Sequence, residues 1–133
     1  MTRAMFEIDG HEFEAELNDV LAPRTVAVVK ALAPLCGGMR HAIWSGPLLL
    51  ADVEEVATCP FEDPVTYLTR GTIVAHPVHK EIGIAYAETQ FKEPTGPVYV
   101  TRVGRIVSNL DALEPIGKDA IAKGLRRFTI RLE

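Results

Sequence analysis

Three features that mark well-known classes of protein are scarce or missing in this sequence of 133 residues. Two cysteines, Cys36 and Cys59, are too few for a disulfide framework. No apolar run approaches the roughly 20 residues that span a bilayer. The 14 Lys and Arg residues are scattered, apart from three arginines near the C-terminus, and 18 Asp and Glu residues outnumber them, for a net charge of −4. We therefore expect neither a membrane nor a nucleic acid as partner.

The start of the chain, MTRAMFEIDG, also lacks the apolar stretch of a secretory signal and carries Glu7 and Asp9. We therefore expect a cytoplasmic protein whose two cysteines are thiols. The length predicts a single domain over residues 1–133.

The first two segments alternate between apolar and other residues. Residues 4–8 place Ala, Phe and Ile on one face, and residues 12–17 place Phe, Ala and Leu opposite three glutamates. The turn-forming pair Asp9-Gly10 lies between them. This pattern predicts a β-hairpin.

The periodicity then changes to that of a helix. In APRTVAVVKALAPL, apolar residues recur at i, i+3 and i+7 from Val26, and Pro23 suits a first helical turn. We expect a helix of about three turns, ended by Pro34 and the pair Gly37-Gly38.

Short strands separated by Gly and Pro make up most of the rest. We predict strands in MRHAIW, PLLLAD, PVTYLT, TIVAHP, EIGIAYAETQ, PVYVTRVGRIV and RRFTIRL, and a second helix in DALEPIGKDAIAKGL that Gly124 closes. About eight short strands and two helices predict a closed or nearly closed barrel. The residues expected to be buried are Phe6, Phe13, Leu17, Val29, Ile84, Phe128 and Ile130.

Several short motifs, in order, resemble known proteins. FEAELNDVLAPRTVAVVKAL resembles the beginning of a cyclophilin, and the downstream part resembles a family of small, mostly uncharacterised bacterial and archaeal proteins with a cyclophilin-like fold. The matching residues are Pro23, Thr25, Ala31, Leu32, Trp44, Ser45, Gly46, Glu81, Ile82, Ala85, Tyr86, Gly104 and Asn109. The resemblance implies a mostly β fold, a closed eight-stranded barrel with two capping helices.

The same resemblance bears on activity. Cyclophilin prolyl isomerases use an arginine on the strand after the first helix, followed by a Gln-Gly-Gly-Asp stretch. Arg40 matches the arginine, but no such stretch follows, so isomerase activity is expected to be absent or marginal. The Gly-to-Asn stretch departs from the family at Arg105 and Ser108, where Gln and Gly are usual.

Trp44, the only tryptophan, allows two interpretations. On a strand over residues 39–44 it shares a face with Arg40 and Ala42. It either packs at an end of the barrel or forms a flat wall of a ligand pocket. The hydroxyl of Ser45, which follows, is expected to bond local backbone in a turn.

The two histidines of HPVHKE, His76 and His79, look at first like metal ligands. Pro77 prevents a helix, and residues at i and i+3 on a strand point to opposite faces. We therefore predict no metal site and no cofactor.

The strand EIGIAYA has small residues, Gly83 and Ala85, on the face that carries Glu81. This face leaves room for a ligand or for close packing of a helix. Glu81 is solvated, pairs with an arginine, or acts as a base at a site if burial raises its pKa.

The combined prediction is a protein that binds, or acts on, a small polar amide or carboxylate compound in a pocket of the barrel. Arg105 would hold an anionic group, Asn109 an amide, and Trp44 and Tyr86 would be flat walls, with Glu81 as a carboxylate. No catalytic residue is assigned. A divergent prolyl isomerase and a non-catalytic protein-interaction module are the alternatives, and the barrel could form a homodimer.

Overall fold

Thirteen strands and two α-helices follow one another along residues 1–133, all of which the computed structural model describes. The strands are β1 (Thr2–Ile8), β2 (His11–Leu17), β3 (Leu35–His41), β4 (Leu48–Asp52), β5 (Pro64–Val65), β6 (Tyr67–Leu68), β7 (Thr72–His76), β8 (Glu81–Ala85), β9 (Thr89–Gln90), β10 (Lys92–Glu93), β11 (Gly96–Pro97), β12 (Val100–Ile106) and β13 (Arg126–Leu132). The helices are α1 (Pro23–Leu32) and α2 (Leu113–Lys123), and 3-10 turns occupy Glu54–Thr58 and Leu110–Ala112. Neither α-helix has the length and apolar character needed to cross a membrane.

Eight of the strands close into an antiparallel barrel. They pair in the order β2-β1-β13-β3-β4-β8-β7-β12, and β12 pairs again with β2. The predicted fold class, a mostly β closed eight-stranded barrel with two helices, is confirmed. The predicted hairpin is β1–β2, with Asp9 and Gly10 at its turn, both at positive φ.

The interior of the barrel is filled by apolar side chains. Alternate residues of the eight strands join residues of both helices in one cluster of 26 buried residues. All seven residues predicted to be buried are buried. Because this cluster occupies the interior, a pocket for the predicted ligand has to lie outside it.

Helix α1 begins at Pro23 as predicted and ends before Pro34. The pair Gly37-Gly38, expected to end the helix, instead belongs to β3. A side chain at position 37 would meet the ring of Phe128 on β13 at 2.9 Å. The absence of a side chain at Gly37 therefore leaves room for Phe128 of β13 against β3.

The N-terminus of α1 is capped by a residue far away in sequence. Glu62 accepts hydrogen bonds from Arg24 N–H (3.2 Å), Thr25 N–H (2.8 Å) and Thr25 Oγ1 (2.8 Å). Burial raises the pKa of Glu62, but the hydrogen bonds from Thr25 and Arg24 outweigh burial, so its pKa lies below the usual 4.5. The carboxylate thus satisfies free N–H groups at the positive end of the helix dipole.

A second, smaller apolar cluster covers one side of the barrel from outside. The outward side chains of β4, β7 and β8 pack there against Leu68 and Phe91 from the segments 64–68 and 89–98. The small face of β8 was predicted to leave room for a ligand or for close packing of a helix. At Gly83 it is instead covered by neighbouring strands, because a side chain there would lie 2.8 Å from Leu50 Cδ2 and 3.2 Å from Val74 Cγ2.

The barrel closes at a glycine. Gly104 of β12 is paired with Leu17 of β2, and a side chain there would overlap the Glu16 carbonyl oxygen and lie 2.9 Å from Leu17 Cα. The register of β12 against β7 also shifts between Arg102 and Gly104. A bulge and a residue without a side chain together bring the last pair of strands into contact.

We predict that Gly104→Ala lowers the free energy of unfolding by about 3 kcal/mol, because the added methyl group separates β12 from β2 at the closure. Urea denaturation measures the loss. Gly38→Ala is the matched control, since its nearest neighbour is the exposed side chain of Leu125 at 3.3 Å. Equal stability of the two variants would contradict the closure argument.

We predict that Glu62→Gln destabilises the protein by about 1 kcal/mol at neutral pH, because a charged cap is replaced by a neutral one. The folded-state pKa of Glu62 is lowered, so its contribution is present above pH 4.5 and is lost as the pH falls through the folded-state value. The difference between wild type and variant in urea melts should therefore shrink with acidification. Glu88→Gln, an exposed carboxylate outside this cap, should show no such trend.

Candidate functional site

A cavity of about 380 Å³ lies on the outer face of the barrel. Its lining consists of residues 40–45, Leu50, His79, Glu81 and residues 91–94. Arg40 of β3 pairs with Leu50 of β4, and Leu50 pairs with Gly83 of β8. Paired residues lie on the same face of a sheet, so all three lie on the outer face, opposite the packed interior. The cavity is thus bounded by the sheet, the β3–β4 loop and the segment that covers the sheet.

An ion pair lies in this cavity. The Arg40 guanidinium donates one hydrogen bond to Glu81 Oε2 and another, of 3.0 Å, to Asp52 Oδ1. The side chain of Glu81 is 12% exposed, whereas that of Asp52 is 82% exposed. Burial raises the pKa of the Glu81 carboxyl, and the charge of Arg40 offsets part of that rise. Arg40 is therefore held in one orientation by two carboxylates of unequal exposure.

Trp44 belongs to the loop after β3, not to a strand. Strand β3 ends at His41, so the argument that Trp44 shares a strand face with Arg40 is wrong. The side chain is nevertheless beside the cavity and is 57% exposed. The alternative, that Trp44 packs at an end of the barrel, is excluded, because a packed side chain of this size would be enclosed.

Ser45 fixes the loop that carries Trp44. Its hydroxyl accepts a hydrogen bond from Lys92 N–H (2.9 Å) and donates one to the Lys92 carbonyl (3.2 Å), and Thr89 Oγ1 donates to the Ser45 carbonyl. The expected turn hydroxyl thus bonds backbone 47 residues away instead of local backbone. The two walls of the cavity are joined through Ser45.

Tyr86 does not line the cavity but holds a residue that does. Its ring is buried in the core, and His41 Nε2 lies 2.7 Å from its hydroxyl. His41 Nδ1 lies 2.8 Å from the Ala42 carbonyl, which can only accept, so Nδ1 donates; in that tautomer Nε2 accepts the Tyr86 proton. A side chain at Gly117 of α2 would overlap the Tyr86 ring, so the helix packs closely against it.

The structure does not bring Arg105 or Asn109 to the cavity. Arg105 is exposed and donates to Glu16 Oε1 at 3.1 Å on β2. Asn109 is exposed, in the left-handed region at φ 55°, before the second 3-10 turn. Of the five predicted ligand-binding residues, the cavity therefore unites Trp44 and Glu81, with Tyr86 behind them. That any of them binds a ligand stays a prediction.

The placement of His76 and His79 on opposite faces is wrong. Strand β7 ends at His76, and the following turn, with Lys80 at φ 58°, folds His79 back over it. The two ring centroids are 4.2 Å apart, and His76 Nδ1 accepts the His79 N–H at 3.1 Å. Burial, followed by the charge of His79, lowers the pKa of His76. His79 Nε2 is also hydrogen-bonded to Glu93 Oε1.

Three cavity residues were not predicted from the sequence: Arg40, Lys92 and Glu93. Arg40 could have been found from its pairing with Leu50 on the outer face, had the strand register been known. Lys92 and Glu93 lie in a two-residue strand within a segment without periodicity. Nothing in the local pattern marks them.

Comparison with known proteins places the chain in a family. Residues 5–132 match DUF3830, described as a protein of unknown function. No curated protein sequence matches the chain significantly.

Two solved structures are similar in fold. McbB in complex with tryptophan shares 16% identity with a TM-score of 0.83, and the match covers 98% of this chain but only 44% of McbB. The hypothetical protein AF2241 from Archaeoglobus fulgidus shares 18% identity with a TM-score of 0.62, over 99% of this chain and 95% of that one. At such identities the likeness concerns the fold alone.

We predict that Arg40→Met lowers the free energy of unfolding by about 2 kcal/mol, because Glu81 then loses its main partner in a nearly buried place. Asp52→Asn removes the exposed partner of the same arginine and should change stability by about 0.5 kcal/mol or less. Urea denaturation of both variants measures the difference. Equal losses would show that burial of Glu81 does not determine the strength of the pair.

Proposed function

We propose that this chain, which belongs to the DUF3830 family of proteins of unknown function, binds a small polar compound with a carboxylate or amide group in the cavity on the outer face of its barrel. One observation carries the proposal: an exposed indole and an ion pair with a nearly buried carboxylate, Glu81, line the same cavity of about 380 Å³. That volume lies in the range of about 300–1,000 Å³ that small-molecule sites occupy.

The exposed indole supports the proposal because a ligand that covers this large ring removes much apolar surface from water. Trp44 is 57% exposed although its loop is tied to the segment 89–92 by Ser45 and Thr89. A flat ring held at a fixed place beside a cavity favours a ligand with a planar group, such as an amide, a carboxylate or an aromatic ring.

The charges around the cavity provide specificity for such a ligand. Arg40 uses two of its five N–H donors on Glu81 and Asp52, which leaves donors for a ligand carbonyl or carboxylate. Lys92 is exposed and adds a second cation. Glu81 and Glu93 offer acceptors for the N–H groups of an amide. Cationic donors and carboxylate acceptors in one cavity suit a ligand group that both accepts and donates hydrogen bonds.

The likeness to McbB is consistent with a small-molecule role. That protein was solved in complex with tryptophan, a compound with a planar ring and a carboxylate. Because this chain spans less than half of McbB, the comparison provides tryptophan as a ligand to test and says nothing of a reaction.

We also propose that the barrel is cyclophilin-like, which its eight closed strands and two helices support. An isomerase role has less support, because Arg40 is already engaged by two carboxylates. The cytoplasmic location and the homodimer stay predictions.

We predict that benzamide or benzoate binds saturably and changes the fluorescence of Trp44, whereas benzylamine, with the same ring and a positive charge, binds more weakly. L-tryptophan is a fourth probe, chosen for its planar ring and carboxylate. Isothermal calorimetry gives the affinities, and binding raises the melting temperature by mass action.

Trp44→Leu should weaken binding about tenfold with little loss of stability, since stacking contributes about 0.5–1.5 kcal/mol and the indole is exposed. Tyr67→Leu is the matched control, because Tyr67 is 62% exposed and lies outside the cavity. No saturable binding of any of the four probes, or equal binding by both variants, would contradict the proposal.

A further inference from the structure

Three side chains that bind metals in other proteins meet at one edge of the cavity. His76 ends β7, His79 lies in the turn that follows, and Glu93 comes from β10. One potential ligand atom of each lies within 4.8 Å of the others. We propose that His76, His79 and Glu93 form a binding site for a divalent transition-metal ion, a site that does not depend on the small-molecule function.

The three side chains differ in how firmly the surrounding structure holds them. His76 is 5% exposed and lies across from Glu81 in the pairing of β7 with β8. Its ring packs against Phe61 and Phe91, with centroids 5.6 and 5.7 Å away. His79 and Glu93 have side chains 43% and 34% exposed. One ligand is thus fixed, and the other two can adjust.

The separation of the ligand atoms is close to what a metal needs. Metal bonds of about 2.0–2.1 Å in a tetrahedral site place ligand atoms about 3.4 Å apart. A spacing of up to 4.8 Å therefore has to shrink by about 1.4 Å. Rotation of the half-exposed His79 and Glu93 side chains can supply that movement without a change in the backbone.

The hydrogen bonds of the two histidines must change when a metal binds. His76 Nδ1 accepts the His79 N–H, so coordination of a metal at Nδ1 replaces that hydrogen bond. Coordination at Nε2 instead requires the ring proton to move to Nδ1, which breaks the same hydrogen bond. His79 Nε2 exchanges its hydrogen bond to Glu93 for the metal. Each loss is a single hydrogen bond, and a coordination bond to the metal replaces it.

The ligand set indicates which kind of ion fits. Two imidazoles and one carboxylate suit zinc, iron, cobalt, nickel or copper, whereas magnesium and calcium prefer oxygen ligands alone. Three protein ligands leave at least one coordination position open, as in catalytic zinc sites. The open coordination position is accessible from two cavities. His79 and Glu93 line the cavity that holds Trp44. His76 and Glu93 line a second cavity, together with Phe61 and Tyr99.

The test uses the full chain without a histidine tag, stripped with a chelator and dialysed. Titration with ZnCl2 in a calorimeter should show one equivalent bound, and CoCl2 should give the visible absorption of cobalt bound to nitrogen and oxygen. Loss of an outer-shell partner weakens metal binding about 10–100-fold. Because His79 and Glu93 would contact the metal itself, His79→Ala and Glu93→Gln should each weaken zinc binding by more than that.

His11→Ala is the matched control, since His11 is an exposed imidazole elsewhere on the barrel, and it should leave zinc binding unchanged. Thermal melting without metal establishes that the variants fold; both changed side chains are partly exposed, and His76 is left intact because it is buried. Absence of one-equivalent binding, or binding equally strong in wild type, His79→Ala and Glu93→Gln, would overturn the proposal.

Discussion

The contact between β12 and β2 at Gly104 is the constraint on which the rest of this molecule depends. Without it the eight strands form an open sheet, and two rows of backbone groups remain unpaired. With it the interior becomes a closed space in which apolar side chains of the strands and both helices pack together. A closed and filled barrel offers no internal room for a ligand, so the cavity lies where extra segments cover the outer face.

The features predicted correctly are those that local periodicity determines. Alternation in residues 4–17 and the 3.6-residue period around Val26 depend on which face of each element is buried, and this is visible in the sequence itself. The closed barrel was predicted from the number and spacing of short strands, together with the cyclophilin resemblance. Features that were missed depend on where a strand stops. One shorter strand moves Trp44 into a loop, and one turn after His76 reverses the direction of His79.

The candidate site was predicted only in part, for a related reason. Trp44 and Glu81 are 37 residues apart in sequence, and the register of β3, β4 and β8 brings them to one place. Arg105 and Asn109 were grouped with them by chemical type, but β12 lies on the far side of β7 from β8 in the barrel order. Arg40 and Glu93 carry much of the charge in the cavity, and their proximity is a long-range property that no short stretch of sequence encodes.

The position of the cavity outside the packed barrel has a consequence for how such a protein can change over generations. Its walls are the 42–47 loop and the 89–98 segment, which contribute little to the main cluster of buried residues. Substitutions and short insertions there can change the shape and charge of the cavity while the scaffold keeps its folding stability. Proteins built on this barrel can therefore differ at the cavity without first acquiring compensating mutations in the core.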